Sequence, residues 1–300
     1  MSGPVYSYRP SKAVTRRMVV DMLARLGPVA PPAGYHYIGL GALEFIDFEL
    51  VHRRLGITTM TSIEQDIQHF DRYKSNRPHN NITLLGGKAI DQLSNVNWSV
   101  FNAVWLDYEC PLDTNEVLPT IRYLAGKLND GDFLAVTMNA EPGALKGRLD
   151  RFKKNVGDVL VPANTDDDTL GEWGWAARQQ QILFNVLRNE LRRDGRNRSW
   201  NQLLNIHYSD QARMQTVAGV IGTPALAQTL SGCRFGDLDF YRPDKEALVI
   251  QVPYLTPKER RALNEKLPRK SGKALRLPGV DPGKVEAYVK LYRWLEPTGS

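Results

Sequence analysis

Residues 35–64 constrain the fold of this chain more than any other stretch. Tyr35, His36, Tyr37 and Ile38 form a short apolar run that closes on Gly39-Leu40-Gly41. Apolar residues at helical spacing follow (Ile46, Phe48, Leu50, Val51, Leu55), and a second strand-like run, 59–63, ends on Glu64. This pattern predicts a strand, a glycine turn, a helix over 42–55 and a second strand tipped by an acid. Glycine lets the backbone pass close to a ligand, and a helix N-terminus offers unpaired N–H groups. An acid roughly 20 residues further on can accept both hydroxyls of a ribose. The unit therefore points to a nucleoside-containing cofactor.

The same alternation continues. A third strand is expected at 82–85, closed by Gly86-Gly87 and followed by a helix over 89–93. A fourth strand at 103–106 ends on Asp107-Tyr108-Glu109. A helix over 114–128 leads to a fifth strand at 133–137 that ends on Met138-Asn139. Near-continuous apolar strands alternating with helices indicate a parallel sheet buried on both faces. An apolar stripe over 11–26 predicts a helix ahead of this unit, and 66–73 reads as a polar helix before a loop at 75–81. Residues 143–200 are helical and basic, with the acidic loop Asp166-Asp167-Asp168 inside. Strands at 203–208 and 214–221 flank a turn at Ser209-Asp210-Gln211-Ala212, and 247–252 is another strand. Thr256, Pro257 and Glu259 form a capping box. An exposed linker over 268–283 and a helix over 284–294 close the chain.

Composition narrows the class without choosing within it. The chain is 42% hydrophobic and 24% charged, ordinary for a globular protein. Its two cysteines, Cys110 and Cys233, are too few and too far apart in sequence for a disulfide framework, so a reducing compartment is expected. No apolar run approaches the roughly 20 residues that cross a bilayer, and residues 1–17 are polar and basic. The expectation is a cytoplasmic protein without a membrane partner. A net charge of +6 permits an anionic partner and does not require one.

Five strand–helix units, a helical stretch and a hairpin, together with Gly39-Leu40-Gly41 and Glu64, resemble the class I S-adenosylmethionine-dependent methyltransferases. The resemblance implies an α/β fold with a Rossmann-like, doubly wound, mostly parallel sheet, a C-terminal antiparallel hairpin and a helical insert. On that reading 1–34 is an N-terminal helical segment and 35–142 the cofactor-binding core. Residues 143–200 are then the basic insert, 201–255 the strands that complete the sheet and 256–300 a helical tail. The resemblance further implies that Gly39 and Gly41, with Tyr37 beside them, approach the methionine part of the cofactor. Glu64 would hold the ribose, Gly87, Lys88 and Ala89 would flank the adenine, and Asp107, Tyr108 and Glu109 would stand at the reacting centre.

Departures from the family pattern narrow the chemistry. Tyr37 stands near the place of an acid, and Ala42-Leu43 supplies no third glycine. After the fourth strand the chain has Asp107-Tyr108-Glu109-Cys110-Pro111 in place of the Asp/Asn-Pro-Pro-Tyr/Phe of nucleic-acid amino-methyltransferases. Cys110 precedes a proline instead of following one, which argues against methylation of cytosine C5. A closer likeness is to the cation-dependent O-methyltransferases, in which Asp107 and Asn139 would hold Mg²⁺ and Glu109 could add an oxygen.

Other constellations compete. His207-Tyr208-Ser209-Asp210 contains triad residue types, but triads are assembled from separate loops, and a hairpin turn is the better reading. Neither a Gly-x-Ser-x-Gly elbow, nor a phosphate-binding loop, nor a zinc-ligand spacing occurs. Arg188, Arg192, Arg193, Arg196 and Arg198 form either a solvated helix face or a phosphate-binding patch, with Trp200, Trp173 or Trp175 as stacking groups. Asp66, Arg72 and Asn76 line the cofactor mouth or cap a helix. The leading expectation is a methyltransferase in which Asp107, Glu109 and Asn139 position or deprotonate a small-molecule or nucleic-acid acceptor. The alternative is a catalytically inactive methyltransferase-like subunit that binds nucleotide or nucleic acid. A dinucleotide-dependent dehydrogenase is third, because the third glycine is missing.

Overall fold

The fold is taken from a computed structural model, which describes residues 9–193, 195–269 and 274–295. Its strands read as unbroken apolar runs because both of their faces are covered. Along the fifth strand, β5 (Phe133–Asn139), Phe133 and Ala135 enter one core while Leu134, Val136 and Met138 enter the other. The fourth strand, β4 (Asn102–Asp107), divides in the same way, with Ala103 and Trp105 opposite Val104 and Leu106.

The first three strands are β1 (His36–Leu40), β2 (Thr59–Glu64) and β3 (Ile82–Gly86), and the last three are β6 (Ser199–Ser209), β7 (Arg213–Gly222) and β8 (Leu248–Ile250). All eight form one sheet in the order β3-β2-β1-β4-β5-β7-β6-β8. Strands β1 to β5 are parallel. Strand β7 runs antiparallel to both β5 and β6, and β8 runs parallel to β6. This is the expected doubly wound sheet with its C-terminal hairpin. Chain order reverses between β1 and β4, which opens a crevice at the carboxyl edge of the sheet.

Helices α1 (Pro10–Ala24) and α2 (Ile46–Leu55) cover one face. The short α3 (Phe70–Asn76) and α4 (Ala89–Gln92) follow β2 and β3. Helix α5 (Val117–Lys127) covers the other face, joined there by α6 (Arg148–Val156) and α7 (Gly174–Arg193). Helix α8 (Ala227–Gly232) follows the hairpin. A small separate cluster around Leu255, Leu263, Val285 and Tyr288 joins α9 (Pro257–Asn264) to α10 (Pro282–Leu291). The capping box at Thr256 and Glu259 is formed as expected. Of the expected linker over 268–283, residues 270–273 lie outside the described residues.

Several boundaries differ from expectation: β6 begins at Ser199, within the stretch expected to be helical, α5 begins at Val117, and β8 is limited to Leu248–Ile250. The helix predicted from residue 42 begins at Ile46. The Gly41 amide still donates to the Ile63 carbonyl at 2.7 Å, so the backbone runs on beside β2 before it turns. Phe45 then takes a left-handed conformation, φ 47°, with its ring buried in the core. The glycine turn therefore does not open directly onto a helix N-terminus. The helix predicted over 66–73 is split into a 3₁₀ turn, Ile67–His69, capped by Asp66, and α3, which runs on to Asn76.

Three arginines of the run are engaged within the protein. Arg198 is 4% exposed, and its guanidinium donates to the Ala125 carbonyl at 2.9 Å and to that of Leu128. Arg196 donates to Gly126 and Asn129, and Arg193 pairs with Glu190. Two of the five thus satisfy the open carbonyls at the end of α5. Trp175 and Trp200 are buried, and Trp173 stacks on His207 at 4.7 Å between ring centroids, so these rings are taken up by the protein.

Candidate cofactor site

A cavity of about 860 Å³ lies at the carboxyl edge of the parallel strands, at the point where strand order reverses. The tips of β1 to β4 contribute to it: Leu40 and Gly41 at the end of β1, Ile63 and Glu64 at the end of β2, Gly87 and Ala89 after β3, and Asp107, Tyr108, Glu109 and Cys110 at and after the end of β4. Arg72 and Tyr73 of α3 close one side. Lys12 and Arg16 of α1, four residues apart and so on one helix face, close another. The volume lies within the range of small-ligand sites.

Glu64 is buried in this wall. Its Oε1 accepts the Asp66 amide at 2.9 Å, while Oε2 lies beside Gly41. Burial pushes its carboxyl above the usual range, against the pull of the Asp66 amide. Gly41 has no room for a side chain, because a Cβ there would come within 2.5 Å of Ser62 Oγ and 3.3 Å of Glu64 Oε2. The Gly87 amide donates to the Glu64 carbonyl at 2.9 Å, which holds the two strand tips together.

At the β4 tip both oxygens of Asp107 are taken by Lys12, with Nζ 2.9 Å from Oδ1 and 2.6 Å from Oδ2. Asp210, in the hairpin turn between β6 and β7, accepts the backbone amides of Ser11 and Lys12 at 3.0 Å each. The segment that resembled a triad thus caps the helix that carries Lys12. His207 lies behind it with its Nε2 3.3 Å from Gln215 Nε2, and burial lowers its imidazole to about 4. Cys110 faces the cavity as a thiol, pushed up to about 11 by burial.

Several expected site residues stand elsewhere. Tyr37 is buried against Phe48 and donates to Asp47 Oδ2 at 2.5 Å, so it is part of the core. Gly39 gives Phe48 its place, since a Cβ would lie 3.1 Å from that ring. Lys88, Asp66 and Asn76 are not among the residues that line the cavity. Asn139 ends β5, but its Oδ1 accepts the Glu141 amide at 2.8 Å and is turned to that loop.

A divalent metal does not fit this arrangement. The ammonium of Lys12 already neutralises Asp107, and Asn139 offers its oxygen to a backbone amide. Among the described residues no three His, Cys, Asp or Glu side chains come together as a metal site. The expected Mg²⁺ pair of Asp107 and Asn139 is therefore not supported.

A family model described as "Putative O-methyltransferase" matches residues 4–297. No curated protein matches the sequence. Similar solved structures include an O-methyltransferase family protein from Burkholderia thailandensis, at 15% identity and TM-score 0.38, covering 70% of this chain and 57% of that one. A Pyrococcus horikoshii protein in complex with S-adenosyl-L-methionine has 13% identity and TM-score 0.49, covering 77% and 58% respectively. An O-methyltransferase from Bacillus cereus in complex with SAH has 15% identity and TM-score 0.40, covering 72% and 84%. The chain thus spans under two thirds of the length of the first two.

Proposed function

The chain belongs to the family described as "Putative O-methyltransferase", and from that premise we propose that it moves a methyl group from S-adenosylmethionine to an acceptor oxygen. The observation that carries the proposal is the cavity at the switch point with Glu64 in its wall. The donor set suits such a cofactor: a buried carboxylate for ribose hydroxyls, a glycine-lined slot at the β3 tip for a flat base, and charged groups of both signs at the β4 tip for an amino-acid end.

When bound, the cofactor would supply an activated methyl group on a positively charged sulfur, with a neutral thioether as the leaving group. The chain has to hold the two partners in line and exclude water, and positioning carries most of such a displacement. Glu64 would hold the ribose, and Gly87 and Ala89 would flank the base. Lys12 holds Asp107 at the reacting end. Glu109, at the cavity mouth with its side chain 67% exposed, orients the acceptor and takes its hydroxyl proton. Asn139 has no role in this scheme, and no step needs a metal.

Calorimetric titration tests the proposal. S-adenosylmethionine and S-adenosylhomocysteine are expected to bind one site, NAD is not, and Glu64→Ala should weaken both by tenfold or more. A flat titration with S-adenosylmethionine and its homocysteine product, on folded protein, would sink it.

A further inference from the structure

Arg16 is 7% exposed and lines the cavity, yet it makes no hydrogen bond or ion pair among the described residues, and its Nε is buried without a partner. Buried side-chain donors are almost always bonded, and an unpaired buried guanidinium, with five N–H donors, is costly. Asp47, the carboxylate its charge reaches, accepts the Tyr37 hydroxyl, and Asp107 in the cavity wall is held by Lys12. Its charge also reaches the buried hydroxyls of Tyr37 and Tyr208. A planar fork of donors aimed into a cavity matches a carboxylate.

Strand order says which carboxylate. Along the sheet edge the β3 tip offers the slot for the base and the β2 tip offers Glu64 for the ribose. The neighbouring β1 and β4 tips come next, with Asp107, Lys12 and Arg16. A ligand laid across these sites puts its amino-acid end beside Arg16. We propose that Arg16 binds the carboxylate of the methionine portion of the cofactor. This rests on the reading of the cavity as an S-adenosylmethionine site.

The test compares S-adenosylmethionine with its decarboxylated form, which lacks only that carboxylate, by titration into the full chain. The wild type should bind the intact cofactor about ten- to a hundredfold more tightly, the worth of a charged hydrogen-bonded pair. Arg16→Met should lose that preference by weakening the intact cofactor alone, and Arg16→Lys should keep part of it. Equal binding of the two ligands by the wild type would overturn the inference while leaving the cofactor reading intact, and needs no variant to fold. So would an Arg16→Met variant that weakens both ligands equally. If neither ligand binds the wild type, the cofactor reading itself fails.

Discussion

Gly39 and Gly41 are two residues apart in one motif, yet they do different work. Gly39 makes room for a core ring, whereas Gly41 makes room for Ser62 and for the acid in the cavity wall. Gly39→Ala should cost about 1–3 kcal/mol of stability through overpacking against Phe48, with cofactor affinity unchanged. Gly41→Ala should displace Glu64 and weaken cofactor binding at least tenfold, with a smaller change in denaturation midpoint. Parallel denaturation and titration separate the two effects. His207 gives a pH dependence of known sign. Its folded value of about 4 lies below the ordinary 6.5, so the unfolded chain binds the proton more readily. Stability from this residue is complete above about 6.5 and falls as pH drops toward 4. Urea midpoints from pH 7 to pH 4.5 should decline less steeply in His207→Gln than in the wild type. The motif showed where a cofactor would be approached, but not which glycine approaches it. That depends on whether Phe48 or Ser62 lies across from each Cα, and those contacts join residues of different elements.

Strands were legible wherever both faces are buried, since a short continuous apolar run bounded by turn residues suits a strand covered on both sides. The start of α2 was not, because a backbone bond from Gly41 to Ile63 and a buried Phe45 outweigh helical spacing in the preceding residues. The strand tips carrying Glu64, Gly87, Asp107 and Glu109 were legible, because in a parallel sheet all of them reach one edge. Lys12 and Arg16 were not, although their spacing put them on one helix face. What brings them to the cavity is the docking of α1, and Asp210, far along the chain, fixes its start. Asp210→Ala should therefore cost about 1 kcal/mol, as a lost helix cap does, and should also weaken cofactor binding. Thr256→Ala removes the cap of α9 at a similar cost and should leave the affinity unchanged. A shared loss of affinity in both variants would mean that α1 has no special tie to the site.

On the scale of the whole molecule, charge alone is a poor guide to partners. The net charge is +6, but the conspicuous arginines largely serve the protein itself, with Arg196 and Arg198 bonded to the end of α5. A gel-shift titration with DNA and RNA should show no retarded band near physiological salt, and a band that weakens steeply with salt would restore the phosphate-patch reading. No helix among the described residues is long and apolar enough to cross a membrane. The two-faced sheet, the order reversal between β1 and β4 and the charged side chains that α1 turns inward converge on a single cavity. The most direct measurement is a crystal structure of the protein with S-adenosylhomocysteine. The account predicts both ribose hydroxyls on the Glu64 carboxylate, the adenine beside Gly87 and Ala89, and the carboxylate of the amino-acid end on Arg16. A nucleoside bound away from Glu64, or a cavity that takes up none of the ligand, would contradict it.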